Sequence, residues 1–234
     1  MSAHRRRKTV ISELPEEVKE RILGRMPTRD AARCALLSTQ WRDAWYRQGR
    51  LVFDSEFFDS FKSLRNVADK DAFFVNIINS ILLLRAGPVK LFTLEIYGPY
   101  PRRPLQSELD RWCLFLSRNG VEELDLSMSS KHKLPLCLMS CKTMRQLSPA
   151  NFFIRLPANA RCIFPGLISA NGNGNGLVNT TLPKLENLDF IDGCVGVGNF
   201  LVSAPQLQCL DADDCVEGAT IRLLALHLIS IDAQ

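Results

Sequence analysis

The sequence predicts an α/β fold: a three-helix unit at the front, followed by a repeat solenoid with a curved parallel sheet. Three observations carry this expectation. Residues 11–46, ISELPEEVKERILGRMPTRDAARCALLSTQWRDAWY, hold three short helical patterns separated by stop and cap signals. Five later segments, VKLFTLEIYG (89–98), VEELDLSMS (121–129), KTMRQLSPANF (142–152), PKLENLDFIDGC (183–194) and PQLQCLDADDC (205–215), share apolar residues two or three apart. Helix-like stretches such as LDRWCLFLSRN (109–119) lie between them. A recurring unit of this kind leaves an apolar edge that only its neighbour can cover, so the units stack.

The front unit begins after a basic tail, residues 1–10. Leu14-Pro15 opens the first helix, because proline suits a helix start, and Glu16 and Glu17 follow where the helix dipole favours acids. Leu14, Val18, Ile22 and Met26 recur every four residues, with Leu23 widening the stripe. Pro27 stops the helix and Thr28 is the expected N-cap of the second. Ser38 is the expected cap of the third, on which Trp41 and Trp45 share a face. Some forty residues without paired cysteines or metal ligands make a poor core of their own. Part of the apolar stripe of residues 11–50 is therefore expected to be exposed in isolation and covered by a partner.

Residues 51–88 read as a linker region, helical around Phe73, Phe74, Ile77, Ile78, Ile81 and Leu82, with Gly87-Pro88 as its stop. Residues 89–234 read as the solenoid. Taking Leu94, Leu124, Leu147, Leu188 and Leu210 as equivalent gives steps of 30, 23, 41 and 22 residues. The step of 41 implies a degenerate or missing strand, and FPGLISANGNGNGLVNTTL (164–182) reads there as a decayed repeat. The final stretch, EGATIRLLALHLISIDAQ, lacks the polar outer face of a terminal repeat, so the chain reads as shortened at its C-terminus.

The 234 residues carry a net charge of +4, and the charge is uneven. Residues 1–50 hold 12 Lys and Arg against six Asp and Glu; the remainder holds 17 against 19. No apolar run is long enough for a membrane-spanning helix. The N-terminus lacks the apolar segment of a secretory signal, which points to the cytoplasm, the nucleus or both, Arg5-Arg6-Arg7-Lys8 being either a nuclear signal or a solvated tail. The eight cysteines form no C-x-x-C pair, and the three histidines are scattered, so reduced buried thiols are expected and neither a metal nor another cofactor. Asp211, Asp213 and Asp214 lack the glycine and distant glutamate of a calcium loop and read as a solvated turn. With no G-x-S-x-G, H-E-x-x-H or phosphate loop, no catalytic residue is assigned. A helix-turn-helix reading of the front arginines fails because acids interleave them and Trp41 and Trp45 occupy the third helix, so no nucleic-acid partner is expected.

The front unit resembles the F-box. The resemblance rests on Leu14-Pro15, Ile22-Leu23, Met26-Pro27-Thr28-Arg29-Asp30, Leu36-Leu37-Ser38 and Trp41-Arg42 in that order and spacing, with a plant-like form continuing into Leu51–Asp54. The rest resembles plant F-box proteins with divergent leucine-rich repeats, through L-S-R-N-G-V-E-E-L-D-L (116–126), L-P-L-C-L-M-S-C-K-T-M (134–144) and A-P-Q-L-Q-C-L (204–210). The resemblance implies a non-catalytic subunit of an SCF-type ubiquitin ligase. Its F-box would dock on a Skp-type adaptor, and through it a cullin, by Leu14, Pro15, Val18, Ile22, Leu23, Met26, Pro27, Leu36, Leu37 and Trp41. Its repeats would bind a target protein. The alternative is a leucine-rich-repeat interaction module without ligase association.

Overall fold

A computed structural model describes residues 10–59, 67–97, 106–153, 164–171, 180–189, 199–211, 220–225 and 228–232. Residues 1–9 of the basic tail and the Asn/Gly run from 172 to 179 lie outside them, while Val10 already belongs to a short 3-10 helix, Val10–Glu13.

The front unit is three short helices. Helix α1 spans Glu16–Leu23, α2 Thr28–Cys34 and α3 Thr39–Arg47. Pro15 sits one place earlier than the sequence suggests, at the cap, where its carbonyl accepts from the Val18 and Lys19 N–H groups. Helix α1 ends at Leu23, so Met26 stands beyond it in the turn. Thr28 is likewise the first residue of α2 and not its cap, which is Pro27. Its hydroxyl serves another purpose, accepting the Val52 N–H at 2.8 Å. Ser38 does cap α3, accepting from the Trp41 N–H at 3.3 Å. Arg47 of α3 forks onto Glu16 of α1 at 2.7 and 3.2 Å.

This unit does not rely on a partner for its core. Strand β1 (Arg50–Phe53) follows α3 directly, then α4 (Ser55–Asp59), α5 (Val67–Leu83) and β2 (Leu91–Ile96). Strand β1 pairs in parallel with β2, Leu51 opposite Phe92 and Phe53 opposite Leu94. Phe53, Phe57, Phe58 and Phe74 form an edge-to-face chain with centroids 5.0 to 5.4 Å apart, and Phe53 also meets Phe92 at 5.5 Å. Aromatic pairs of this geometry add about 0.5–1.5 kcal/mol each beyond area burial. Trp41, Trp45, Leu51 and Phe74 belong to one continuous cluster, so the chain itself supplies much of the cover that composition assigned to another protein.

The seam is closed by Arg85. Its guanidinium stacks 4.3 Å over Trp45, donates from Nη1 to the Trp45 carbonyl at 2.7 Å, and donates from Nε to the Ile81 carbonyl at 3.0 Å. Those carbonyls lie in the last turns of α3 and α5, where a helix leaves acceptors without partners and its dipole is negative. One cation thus bridges two helix ends, sharing the Trp45 carbonyl with the Gln48 N–H. Burial pulls its pKa down to about 10, which leaves it charged at neutral pH.

Helix α6 (Gln106–Arg118) packs beside α5, the Trp112 indole donating to Asn79 Oδ1 at 2.7 Å. The chain then runs through β3 (Glu123–Lys133), β4 (Gln146–Phe153), β5 (Ser169–Asn171), β6 (Thr180–Thr181), β7 (Asn187–Asp189), β8 (Asn199–Ser203), β9 (Cys209–Asp211), β10 (Thr220–Leu224) and β11 (Ser230–Asp232). Among the described residues the main sheet has eight strands in the order β1-β2-β3-β4-β5-β7-β9-β11, all neighbours parallel. A second sheet, β10-β8-β6, is also parallel.

A backbone ladder sets the register. The carbonyls of Gly49, Lys90, Glu122, Arg145, Ile168, Glu186 and Gln208 each accept two N–H groups from the next unit, at 2.7 to 3.1 Å. It aligns Leu51, Phe92, Leu124, Leu147, Ala170, Leu188, Leu210 and Ile231 in one row. Leu94 therefore pairs with Leu126 and not Leu124, two places from the alignment read in the sequence. The step of 41 contains β5, and Phe164 and Leu167 of the stretch read as decayed are fully buried. Phe164-Pro-Gly-Leu167, Leu182-Pro-Lys-Leu185 and Ala204-Pro-Gln-Leu207 are one repeated entry into a strand, with both outer residues buried in each. The second layer is helical before β4. After β5 the chain alternates between the two sheets, so there short strands stand where helices stood.

Candidate functional site

The front unit presents apolar side chains to solvent. On α1, Val18 and Ile22 are four residues apart and keep 40% and 38% of their surface, while Lys19 and Leu23, one step around, are buried. The Lys19 ammonium reaches Gln40 Oε1 at 3.0 Å, which lets its stem lie inside. Between α2 and α3 a turn, closed by bonds from Ala35, Leu36 and Leu37 back to Ala32, Arg33 and Cys34, holds out Leu36 at 86% and Leu37 at 69% exposure. Isolated exposed apolar residues are ordinary. Four branched ones on a forty-residue unit, two of them in a rigid turn, suit a docking surface.

The ten residues assigned to docking thus divide. Pro15, Val18, Ile22, Pro27, Leu36 and Leu37 are exposed, and Leu14 and Met26 are half-buried against the core. Leu23 and Trp41 are interior, at 0% and 3% exposure. They shape the surface from beneath. Ile11 is a further exposed apolar residue, at 59%, and a lone isoleucine ahead of the first helix gave no signal for it. Exposed arginines rim the unit, Arg33 pairing with Asp30 at 3.7 Å. Burial pushes the Cys34 thiol up, and Asp30 adds to the rise, so it stays protonated beside Met26 Sδ at 4.0 Å.

A cavity of about 280 Å³ lies where the front unit meets β1 and α4, lined by Arg25, Arg29, Arg50, Asp30, Asp54 and Glu56 among others. Three cations against three carboxylates leave it no preference for either sign of ligand.

The other open surface is the outer face of the main sheet. Alternation puts Leu124, Leu126, Leu188 and Leu210 inside, and Glu123, Asp125, Asp189, Cys209 and Asp211 outside. Asp211 is thus a strand residue and not part of a turn; Asp213 and Asp214 lie outside the described residues. Desolvation pushes the Asp125 and Glu95 carboxyls up, with repulsion from Asp125 and Asp54 adding to the rise at Glu95. Desolvation followed by repulsion from Asp211 does the same at Asp189. Among the described residues no group of three or more His, Cys, Asp and Glu is placed to hold a metal ion, and no helix is long and apolar enough to cross a membrane. The His132 ring, 6.0 Å from Phe152, is packed on the sheet.

Comparison with known proteins agrees with this geometry. Residues 11–53 match the F-box domain, a span that includes β1. The chain is 36% identical over 132 residues to an F-box/FBD/LRR-repeat protein of Arabidopsis thaliana, covering 56% of this chain and 30% of that one. It is 26% identical over 214 residues to an F-box/LRR-repeat protein of the same plant, covering 88% and 49%. A second F-box/FBD/LRR-repeat protein is 24% identical over 242 residues, covering 95% and 50%. The chain therefore spans from under a third to half the length of these relatives. No solved structure matches it. The resemblance read from the motifs holds: the chain carries an F-box and is similar to plant proteins that join one to leucine-rich repeats.

Proposed function

We propose that this chain is the substrate-recognition subunit of an SCF-type ubiquitin ligase. The front helices dock on a Skp-type adaptor, which joins them to a cullin, and the repeats form a leucine-rich solenoid that holds a target protein. The protein makes and breaks no covalent bond. It acts by tethering, which raises the local concentration of target lysines near the ubiquitin-conjugating enzyme. The observation that carries this reading is the exposure of Val18, Ile22, Leu36 and Leu37 within the segment that matches the F-box domain. Such a complex works in the cytoplasm, the nucleus or both.

The test is capture of the full chain by a purified plant Skp-type adaptor. Ile22→Asp and Leu36→Asp each place a carboxylate in a desolvated contact. Each is expected to weaken capture roughly thirtyfold or more, the scale of an interface hot spot. Because Ile22 and Leu36 are exposed in the free chain, both variants should melt at the wild-type temperature. Unchanged affinity in both would overturn the docking surface, and no capture of the wild type would leave a repeat interaction module without a ligase.

A further inference from the structure

The open sheet face sets acids against one another in a way folding does not require. The register places Asp189 beside Asp211 on neighbouring strands. Adjacent parallel strands stand about 4.8 Å apart, and like charges directly opposite destabilise a sheet. On the earlier strands Glu95, Glu123 and Asp125 occupy outward positions, and Asp54 follows β1 close enough to repel Glu95. Among the described strand residues of the main sheet the basic ones are Arg50, at the edge, and Lys131, His132 and Lys133, past the bulge in β3. Residues 51–234 as a whole are close to balanced, 17 Lys and Arg against 19 Asp and Glu, so the excess of acids is local to this face.

A second feature gives the face a shape. A cavity of about 190 Å³ opens on it between β2, β3 and β4, lined by Leu91, Thr93, Glu123, Asp125, Gln146 and Ser148 among others. One wall is the half-exposed Leu91 side chain and another is a pair of carboxylates two residues apart on β3. Asp125 also accepts from the Ser127 hydroxyl, at 3.4 Å. An aliphatic stem ending in a cation satisfies both walls, as lysine and arginine do when the stem lies on apolar surface and the head stays polar. Gln146 and Ser148 add neutral partners beside the head.

We propose that the sheet face binds an extended, lysine- and arginine-bearing segment of a protein partner, with one basic side chain seated between Leu91 and the Glu123–Asp125 pair. The rest of the segment runs across the face toward β9, past Cys209. The proposal rests on the reading of the repeats as a target-binding surface and gives that target a chemical class. Strand-spaced acids suit strand-spaced bases. Contacts of this exposure contribute modestly one by one, so recognition comes from several along the face.

The experiment uses the full chain and a fluorescent decapeptide of alternating Lys and Ser, with alternating Glu and Ser as control, followed by anisotropy at low and physiological salt. Saturable binding of the basic peptide alone is expected, weaker at higher salt. The Glu123→Gln, Asp125→Asn double variant should lose roughly tenfold in affinity, the worth of two partly exposed charge contacts. Cys209 is exposed on the same face and provides a second readout. The basic peptide should slow its maleimide labelling and leave that of Cys34, in the front unit, unchanged. Full affinity in the double variant together with unprotected Cys209 would overturn the proposal, since the peptide then binds elsewhere. Equal binding of the acidic peptide would overturn it as well. Ile22→Asp should bind the basic peptide normally, so failure of adaptor docking and failure of this face are read separately.

Discussion

Removing Arg85 tests whether the F-box and the repeats share one core. In Arg85→Ala the Trp45 and Ile81 carbonyls lose their charged donor, as does the Gln48 carbonyl, a longer contact at 3.4 Å. A hydrogen bond to a charged group contributes about 1.5–3 kcal/mol, and the stack on Trp45 about 1 kcal/mol more. Against this stands relief from burying a cation whose Nη2 has no acceptor among the described residues. The net loss expected is about 2–4 kcal/mol. With a urea slope of about 2–3 kcal/mol per molar, the midpoint falls by about 1 M. Tryptophan fluorescence reads the two parts separately. Trp41 and Trp45 report the front helices, and Trp112, bonded to Asn79, reports the repeats. Trp112→Phe leaves Trp41 and Trp45 as reporters of the front helices, and their transition should coincide with that of the whole chain by circular dichroism, both moving together when Arg85 is lost. Arg85→Lys keeps the charge without the fork and should recover less than half of the loss. A midpoint unmoved by Arg85→Ala, or a front unit that melts apart from the repeats in the parent chain, would refute the shared core.

Two further outcomes follow from the sheet. At Gly166 an added Cβ would stand 2.4 Å from the Lys142 carbonyl oxygen and 3.0 Å from that of Met144, so Gly166→Ala is expected to cost about 1–3 kcal/mol by chemical denaturation, whereas Lys184→Ala at the matching, exposed place should be silent. Asp125 has its folded pKa raised, mainly by desolvation, so the folded state holds its proton more tightly than the unfolded one. Stability from this group is present below the ordinary carboxylate range and is lost as pH rises through the raised value. Asp125→Asn should therefore raise the melting temperature at pH 7, by no more than about 2–4 °C, and change nothing at pH 3. A gain at pH 3 as large as at pH 7 would show that the effect is not titration.

Some of this was legible locally. Proline and acids place the start of α1, and a serine cap that of α3, because the signals act within a few residues, whereas the stops of α1 at Leu23 and of α2 at Cys34, which turns Leu36 and Leu37 out, carry no such signal. L-x-L runs announced most of the main-sheet strands from β2 to β9. They could not fix which leucine matches which, because a shift of two residues leaves every side chain on its own face. That ambiguity is the offset between Leu94 and Leu124, and only the backbone ladder across the sheet removes it. Strand β5, Ser-Ala-Asn, has almost no apolar content. It is a strand because β4 and β7 stand on either side with unpaired backbone groups, a demand its own residues cannot display.

The division between Ile22 and Leu23 is of the same kind. Both are apolar, adjacent and equally suited to a helix. Sequence by itself determined that α1 is an amphipathic helix and that the front unit follows the F-box pattern. Which residues of that helix face inward was decided by α3, whose two tryptophans took Leu23 into the core and left Ile22 outside. It was decided again by β1, which tied the unit to the sheet through Thr28 and Phe53. Helix signals act over a turn, so they are written in the order of residues. Burial depends on what arrives from far along the chain, and that is settled only when the whole fold closes.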